Sequence, residues 1–293
     1  MKFRHILVAL DDSPHSQAAL EAAAGLAAMM RAEMAGVYVE DVNLLRLASL
    51  PGSREIVFPM SLQRELDVHF MEHSLKEQGE KARQALADAA SRAGVGWTFG
   101  VRQGKADTEL LAMSSESDLL VIGKAGHHRG RRVRLGTTAI GVLRAGAGNV
   151  LIIQQGEPRH GPVLLVVDQS AVSPETLAAA ASLARVIGFP PVVVCIGKTK
   201  PAAARLRRQM ESLPEMAGAK FRTLRMAEED GLNRVAWEEQ AGLVVIPATC
   251  QAAVADRLAA MAGEVDLPVF IIRQPCSAPD ESAPASETAV PVG

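Results

Sequence analysis

The feature that most limits the fold is a unit that occurs twice along the chain. A short apolar run, Ile6 to Leu10, is closed by acidic and serine residues, and a similar run, Val163 to Val167, follows 157 positions later. Nine of the seventeen residues from 11 to 27 are identical to their counterparts from 168 to 184. Alanine inflates that figure, but the shared Asp-x-Ser-x-x-Ser frame is harder to attribute to composition. The sequence therefore predicts two copies of one structural unit.

Both copies continue with the same order of elements. The run Asp118 to Gly123 resembles Gly242 to Pro247, and each follows an amphipathic stretch and precedes a final apolar run. Short β-branched runs that are apolar on both faces are typical of parallel strands covered by helices. Ser16 and Ser173 are the expected N-caps of the helix after each first strand. We predict an α/β fold of two tandem doubly wound, Rossmann-like domains, each with a mainly parallel sheet of about five strands.

The repeat also predicts the domain boundaries. The first domain is expected at residues 1–156 and the second at 161–273, with a short glycine-bounded connection between them. The first copy carries an additional segment, roughly residues 41–61, before its second helix. Residues 274–293 are rich in Pro, Ser, Ala and Glu without periodicity, so we expect a disordered tail.

Composition and charge exclude several classes of function. A net charge of −2 gives the whole chain no attraction to nucleic acid or to an anionic membrane. The three cysteines, Cys195, Cys250 and Cys276, are far apart and match neither a disulfide framework nor a zinc motif. The first apolar run is too short for a signal peptide, and no run reaches the ~18 apolar residues of a membrane span. We therefore expect a cytoplasmic protein without nucleic-acid or membrane partners.

A glycine-rich loop follows the strand that ends at Gly123. Gly126 lies in the loop, and Gly136, Thr137 and Thr138 open the next helix, so the spacing is Gly-x2-Gly-x9-Gly-Thr. Glycine lets backbone approach a phosphate without a Cβ, and a helix N-terminus offers N–H donors and a positive dipole end. The loop also carries four basic side chains, Arg129, Arg131, Arg132 and Arg134. Because no aromatic residue interleaves with them to stack bases, the pattern favours a phosphate site over a nucleic-acid patch.

Together with the opening Asp11-x-Ser13 motif, this spacing resembles the nucleotide-binding signature of the universal stress protein family. The resemblance covers about residues 1–155 with all motifs and about 162–273 in weaker form, as in tandem members. It implies a protein of stress response or signalling that binds adenine nucleotide: ATP, or ADP or AMP, with or without Mg²⁺. It also implies that the last strands of the two copies pair as an intrachain pseudo-dimer, with a homodimer of chains as a further option.

The same resemblance assigns roles to individual residues of the first domain. Asp11 would face adenine and ribose, and Val39, at the end of the second strand, would pack against the base. Gly123 and Gly126 would let the loop fold over the ribose and phosphates. The phosphates themselves would be held by the residues that open the helix, Gly136, Thr137 and Thr138.

The second copy departs from this signature. Its strand ends in Pro247 instead of glycine, and Val245 to Ile272 spans 28 residues, compared with 33 from Val121 to Ile153. The phosphate loop and its glycines are therefore missing. We expect that the second domain does not bind ATP in the family manner and that its Asp168 has a structural role.

Two alternatives to a nucleotide-dependent signalling role stay open. One is a slow ATPase, although no acidic residue is placed like a Walker B metal ligand and no general base is evident, so we lean away from an enzyme. The other is a structural or interaction module that binds no nucleotide. His69 and His73 have a spacing that places two metal ligands on one helix face, but without a visible third ligand they are interpreted as surface residues.

Overall fold

The computed structural model describes residues 2–50, 54–57, 62–65, 68–125, 134–156, 159–168, 174–186, 188–226, 228, 230–249 and 252–273. We refer to the residues up to 156 as the first half and to those from 159 as the second half. The strands of the first half are β1 (His5–Leu10), β2 (Glu33–Asp41), β3 (Arg54–Val57), β4 (Leu62–Glu65), β5 (Trp97–Gly104), β6 (Leu119–Gly123) and β7 (Val150–Ile153). Its helices are α1 (Pro14–Met30), α2 (Val42–Ala48), α3 (Val68–Ala93), α4 (Ala106–Ser114) and α5 (Thr137–Arg144).

The second half has the same alternation of strands and helices without an equivalent of α2, β3 and β4 in its described residues. Its strands are β8 (Val163–Val167), β9 (Val192–Gly197), β10 (Lys220–Arg225), β11 (Leu243–Ala248) and β12 (Val269–Arg273). Its helices are α6 (Pro174–Val186), α7 (Lys200–Glu211), α8 (Gly231–Glu238) and α9 (Ala252–Glu264).

Within the described ranges, ten strands form one continuous sheet in the order β10-β9-β8-β11-β12-β7-β6-β1-β2-β5. Neighbouring strands are parallel except β7 and β12, which run antiparallel and place Leu151 opposite Phe270. We call this contact between β7 and β12 the seam. The predicted α/β class with a mainly parallel sheet is confirmed. The additional hairpin of β3 and β4 forms a separate two-stranded sheet.

Counted outward from the seam, both halves show the same strand order. The first half reads β7-β6-β1-β2-β5, and the second reads β12-β11-β8-β9-β10. In each half the first strand of the sequence therefore lies at the centre of five strands. The next two strands are added on one side of it, and the last two are added on the other side. This reversal creates a switch point between β1 and β6, where open α/β sheets bind their ligands at the carboxyl ends of the strands.

Helices cover both faces of the sheet and form two apolar cores. On one face lie α1, α3, α6 and α7, which contribute buried residues such as Leu20, Leu86 and Leu177. On the other lie α4, α5, α8 and α9, which contribute residues such as Leu110 and Val142. The central strands are buried from both sides, which explains their uninterrupted apolar sequences.

The start of α1 differs from the sequence-based expectation. Ser13, not Ser16, is the N-cap: its side chain accepts a hydrogen bond from the Ser16 backbone N–H at 3.1 Å, and Pro14 opens the helix. Ser16 lies inside the first turn, and its Oγ accepts a hydrogen bond from the Asp11 N–H at 2.9 Å. The expectation was wrong because both serines suit a cap, and only the proline at the first helical position separates them.

The outermost strands, β5 and β10, were not located by the apolar runs. β5 is mostly exposed or half-buried, including Trp97 and Val101, and β10 carries three basic residues. An edge strand packs against helices on fewer sides and therefore needs fewer apolar residues. The sequence reveals the central strands of such a sheet more readily than its edges.

Candidate functional site

A cleft of about 810 Å³ opens at the carboxyl ends of β1, β2 and β6 in the first half. Its volume falls in the range of about 300–1,000 Å³ that is typical of pockets for small molecules and cofactors. Apolar side chains from several elements line one side, and these include Val37, Leu44, Leu75, Leu110 and Ile122. Polar groups converge on the other side, at the ends of β1 and β6 and at the start of α5.

Most of the predicted site residues meet in this cleft. Its wall includes Asp11 from the end of β1, Val39 from β2, Gly123 from β6, and Gly136, Thr137 and Thr138 from the start of α5. Gly126 lies outside the described residues. Residues that are far apart in the chain therefore come together where the resemblance requires them, while their binding roles stay a prediction.

Asp11 is held in place by the first turn of α1. Its Oδ1 accepts a hydrogen bond from the Ser13 N–H at 2.9 Å, and its own N–H donates to Ser16 Oγ. These bonds fix the carboxylate at the carboxyl end of β1, facing the cleft. Because Asp11 is exposed, the carboxylate is accessible as an acceptor for hydroxyl groups of a ligand.

Gly123 is required by the packing of α1 against β6. A Cβ at this position would lie 3.0 Å from the His15 carbonyl carbon and 3.1 Å from the Ser16 nitrogen. Both are backbone atoms at the start of a helix and cannot move aside without shifting it. The glycine therefore brings Asp11 and the first turn of α1 close to the end of β6, a role that the sequence did not reveal.

The N-terminus of α5 faces the cleft. Gly136 is the N-cap residue in an extended conformation (φ −68°, ψ 158°), and because it has no side chain it leaves the first N–H groups of the helix uncapped. Its own N–H donates to the Lys124 carbonyl at 2.8 Å, which brings together the two ends of the loop between β6 and α5. A helix start of this kind, with the hydroxyls of Thr137 and Thr138 beside it, can bind a phosphate group.

Three basic residues near the end of β6 differ in their exposure to the cleft. Arg134 is exposed and lines the cleft, whereas Lys124 is almost completely buried, with 1% of its surface exposed. Burial lowers the pKa of Lys124, and the Asp266 carboxylate partly opposes that change. The pKa of His15 is lowered by burial and by Lys124, against an opposing effect of Asp11. His15 Nδ1 accepts a hydrogen bond from the Gln155 N–H at 2.9 Å, which requires the neutral ring.

Tyr38 and Gln78 line the cleft although the motifs did not identify them. The Tyr38 hydroxyl donates to Gln78 Oε1 at 3.1 Å, which joins β2 to α3 at the cleft wall. Burial, together with nearby carboxylates, raises the pKa of Tyr38 to about 12, so the hydroxyl keeps its proton. The sequence signal was weak: Tyr38 is the sole tyrosine of the chain, and it directly precedes Val39.

The additional segment of the first half contributes to the same cleft. Asp41 ends β2 and caps α2, its side chain accepting a hydrogen bond from the Asn43 N–H at 2.8 Å. Leu44, one turn into α2, lines the cleft. The segment that the second copy lacks therefore forms part of the wall beside Val39.

The equivalent position in the second half is arranged differently. Asp168 follows β8 and forms an ion pair with Arg257 of α9, with 2.8 Å between Oδ2 and Nε. Pro247 lies within β11, paired with Ile272, where the first half has its glycine. The carboxylate that faces the cleft in the first half is thus neutralised by an arginine of the same chain in the second.

In the described part of the chain, no observation supports a metal site at His69 and His73 or a helix that spans a membrane. His69 and His73 are strongly exposed and approach Glu72 and Glu77 on α3. No group of three or more potential metal ligands occurs among the described residues. None of the helices described is long and apolar enough to cross a membrane.

The doubly wound sheet with a cleft at its switch point defines a Rossmann-like α/β protein. The family model described as "Universal stress protein family" matches residues 2–154. The chain therefore belongs to the universal stress protein family.

Solved structures with the same fold extend the comparison to the second half. A universal stress protein from Archaeoglobus fulgidus is 15% identical with a TM-score of 0.66, and the match covers 92% of this chain and 98% of that one. A putative universal stress protein from Pseudomonas aeruginosa is 14% identical with a TM-score of 0.55, over 92% and 93% of the two chains. A search of curated protein sequences returned no match.

Proposed function

We propose that the first half binds an adenine nucleotide, ATP or its products ADP or AMP, and that occupancy of the cleft serves stress response or signalling. The observation that carries the proposal is the uncapped N-terminus of α5, which opens onto a cleft of about 810 Å³. A phosphate needs convergent N–H donors, and a base and ribose need an apolar wall with a few polar groups. Both kinds of surface lie in this one cleft.

The residues divide between the two ends of the nucleotide. Gly136, Thr137 and Thr138 would bind the phosphates, with Mg²⁺ as an optional companion of the triphosphate. Val39 would pack against the base, and the Asp11 carboxylate would accept hydrogen bonds from ribose hydroxyls. Gly126 retains the role that the resemblance assigns to it.

The second half is proposed to take the place of a partner subunit. The domains would then correspond to residues 1–156 and 161–273, and the antiparallel seam would replace a contact between separate chains. The Asp168–Arg257 ion pair supports a second half that binds no ATP at its own switch point. The proposal places this activity in the cytoplasm.

The identity of the ligand is tested first. Purified protein is heat-denatured, and the released small molecules are identified by mass spectrometry, with adenine nucleotide as the expected result. Saturating ATP, at about 100 times its Kd, is then expected to raise the free energy of unfolding by about 2.7 kcal/mol. Absence of both effects would contradict the proposal and favour a module that binds no nucleotide.

Equivalent residues of the two halves provide a matched pair of variants. Asp11→Asn keeps the size of the side chain and its acceptor for the Ser13 N–H but removes the charge, so ATP is expected to bind about tenfold or more weakly. Asp168→Asn makes the same change in the second half and is expected to leave ATP binding unaltered. A turnover assay with ATP and Mg²⁺ tests the alternative of a slow ATPase, since signalling by occupancy needs no appreciable hydrolysis.

A further inference from the structure

Lys124 connects the loop of the candidate site to the second half. It lies between Gly123 and Ala125, both of which line the cleft, yet its side chain points away and is 1% exposed. Its Nζ donates to the Val265 carbonyl at 2.5 Å and lies 3.9 Å from the Asp266 carboxylate. Val265 directly follows α9, so the lysine binds the carbonyl end of a helix, where a cation is favourable.

Arg273 makes the reciprocal connection from the second half. It ends β12, is 5% exposed, and its guanidinium donates to the Ala147 carbonyl at 2.7 Å and to the Leu143 carbonyl at 2.8 Å. These carbonyls lie at the C-terminal end of α5, the helix whose N-terminus faces the cleft. Each half therefore sends one buried cation across the seam to the carbonyl end of the other half's last helix.

A third contact lies at the start of α5. Leu135, which lines the cleft and precedes the N-cap Gly136, packs against α9 close to Gly263. The loop is thus attached to the second half at its first residues, through Lys124, and at its last, through Leu135. The far end of α5 is attached through Arg273.

We propose that the second half supports the binding site of the first half, and that Lys124 and Arg273 are positioning residues that hold the end of β6 and helix α5 against the second half. This inference rests on the nucleotide-binding function proposed above and adds a dependence of that site on the other half. The degenerate copy, which has no phosphate loop, then acts as a fixed support for the loop of its neighbour.

A contribution to stability alone does not explain well why Lys124 and Arg273 are charged and buried. Burying a cation is costly and offsets much of what its hydrogen bonds contribute, although its removal leaves the carbonyls that it binds unpaired. A positional role predicts a different result: ligand binding suffers more than ligand-free stability when the cation is removed. The two readouts therefore separate a positioning residue from a structural one.

The first test compares Lys124→Met and Arg273→Met with the control Asp256→Ala. Asp256 of α9 pairs with Arg144, the last residue of α5, across the seam at 2.7 Å, but both side chains are exposed. Each methionine variant is expected to weaken ATP binding about fivefold or more, the lower end of typical coupling between sites. The control is expected to retain wild-type affinity, and all three proteins are expected to remain folded without ligand.

The second test measures the coupling from the other side. Coupling between two sites is reciprocal, so ATP bound in the first half is expected to slow hydrogen exchange in a peptide covering residues 259–268 of the second half. Lys124→Met is expected to abolish that protection, even at ATP concentrations that saturate the variant. A residue with a purely structural role would not remove it.

The outcomes separate the two proposals. If wild-type protein binds ATP and both methionine variants bind it equally well, the positioning role is overturned and the nucleotide site stands. If wild-type protein binds no adenine nucleotide, both proposals are overturned. If Lys124→Met fails to fold, Arg273→Met decides, and if neither variant folds, the cations serve stability and the positioning role is overturned.

Discussion

Gly123 allows a direct test of how the first half is assembled. Gly123→Ala adds a Cβ at 3.0 Å from the His15 carbonyl carbon and 3.1 Å from the Ser16 nitrogen. Overpacking against such neighbours costs about 1–3 kcal/mol, and the reduced entropy of the unfolded chain offsets about 0.4–1 kcal/mol of it. The difference ranges from about 0 to 2.6 kcal/mol, and we expect the free energy of unfolding to fall by about 1.3 kcal/mol, the midpoint of that range.

Gly100 provides a matched control for the same substitution. It lies in the parallel strand β5, and a Cβ built there meets nothing within 4 Å. Gly100→Ala is therefore expected to raise the free energy of unfolding by about 0.4–1 kcal/mol, from the entropy effect alone. Urea unfolding of the ligand-free proteins, followed by circular dichroism, measures both changes.

The result also separates two explanations for the glycine. If Gly123 were needed only to admit a ligand, the alanine variant would bind ATP more weakly but unfold at the same urea concentration as the wild type. A ligand-free stability equal to or above the wild-type value would therefore refute the packing argument. A loss of stability together with weaker binding is expected, because α1 carries Asp11 at its start.

Three other predictions concern side chains around the two switch points. Tyr38→Phe removes the hydroxyl that donates to Gln78 and is expected to lower the free energy of unfolding by about 0.5–1.5 kcal/mol, measured by urea unfolding; an unchanged midpoint would contradict it. The folded pKa of His15 lies below its ordinary value of 6.5, so its contribution to stability is full above pH 6.5 and is lost as the pH falls through the folded pKa. His15→Gln should flatten the wild-type loss of stability as the pH falls below 6.5, and parallel pH profiles would argue against this. Arg257→Met leaves the Asp168 carboxylate without its ion pair and is expected to reduce stability, with ATP affinity at the wild-type level by titration; weaker ATP binding would count against a purely structural pair.

The central strands and most of the candidate site could be predicted from sequence because their signals are local. β1, β6 and β8 are short apolar runs, and each ends at a glycine or directly before an aspartate. Where a strand ends and glycines lead into a helix, the local sequence alone determines which backbone N–H groups are exposed at the end of the strand and the start of the helix. The sequence therefore predicts that Asp11, Gly136 and Thr137 lie near one another, and all three line the cleft.

The features that could not be predicted depend on contacts between distant residues. Tyr38 reaches Gln78 forty residues away, and Lys124 reaches Val265 across 141 residues. Neither pair has a spacing rule, because the geometry that joins them comes from the packing of α3 on β2 and of α9 at the seam. From sequence alone, Lys124 is not distinguished from the arginines that follow it in the chain.

The second half keeps the strand order of the first but has a different arrangement at its switch point. An aspartate at the end of a central strand is stable in the first half because it is exposed and its carboxylate accepts a hydrogen bond from the Ser13 N–H in the turn after β1. Asp168 is more enclosed, and a carboxylate removed from water requires a compensating partner. Arg257 of α9 supplies that partner, with 2.8 Å between its Nε and Asp168 Oδ2. Helix α9 therefore carries two contacts of different kinds: Arg257 pairs with the carboxylate of its own half, and the Val265 carbonyl directly after the helix accepts a hydrogen bond from Lys124 of the first half.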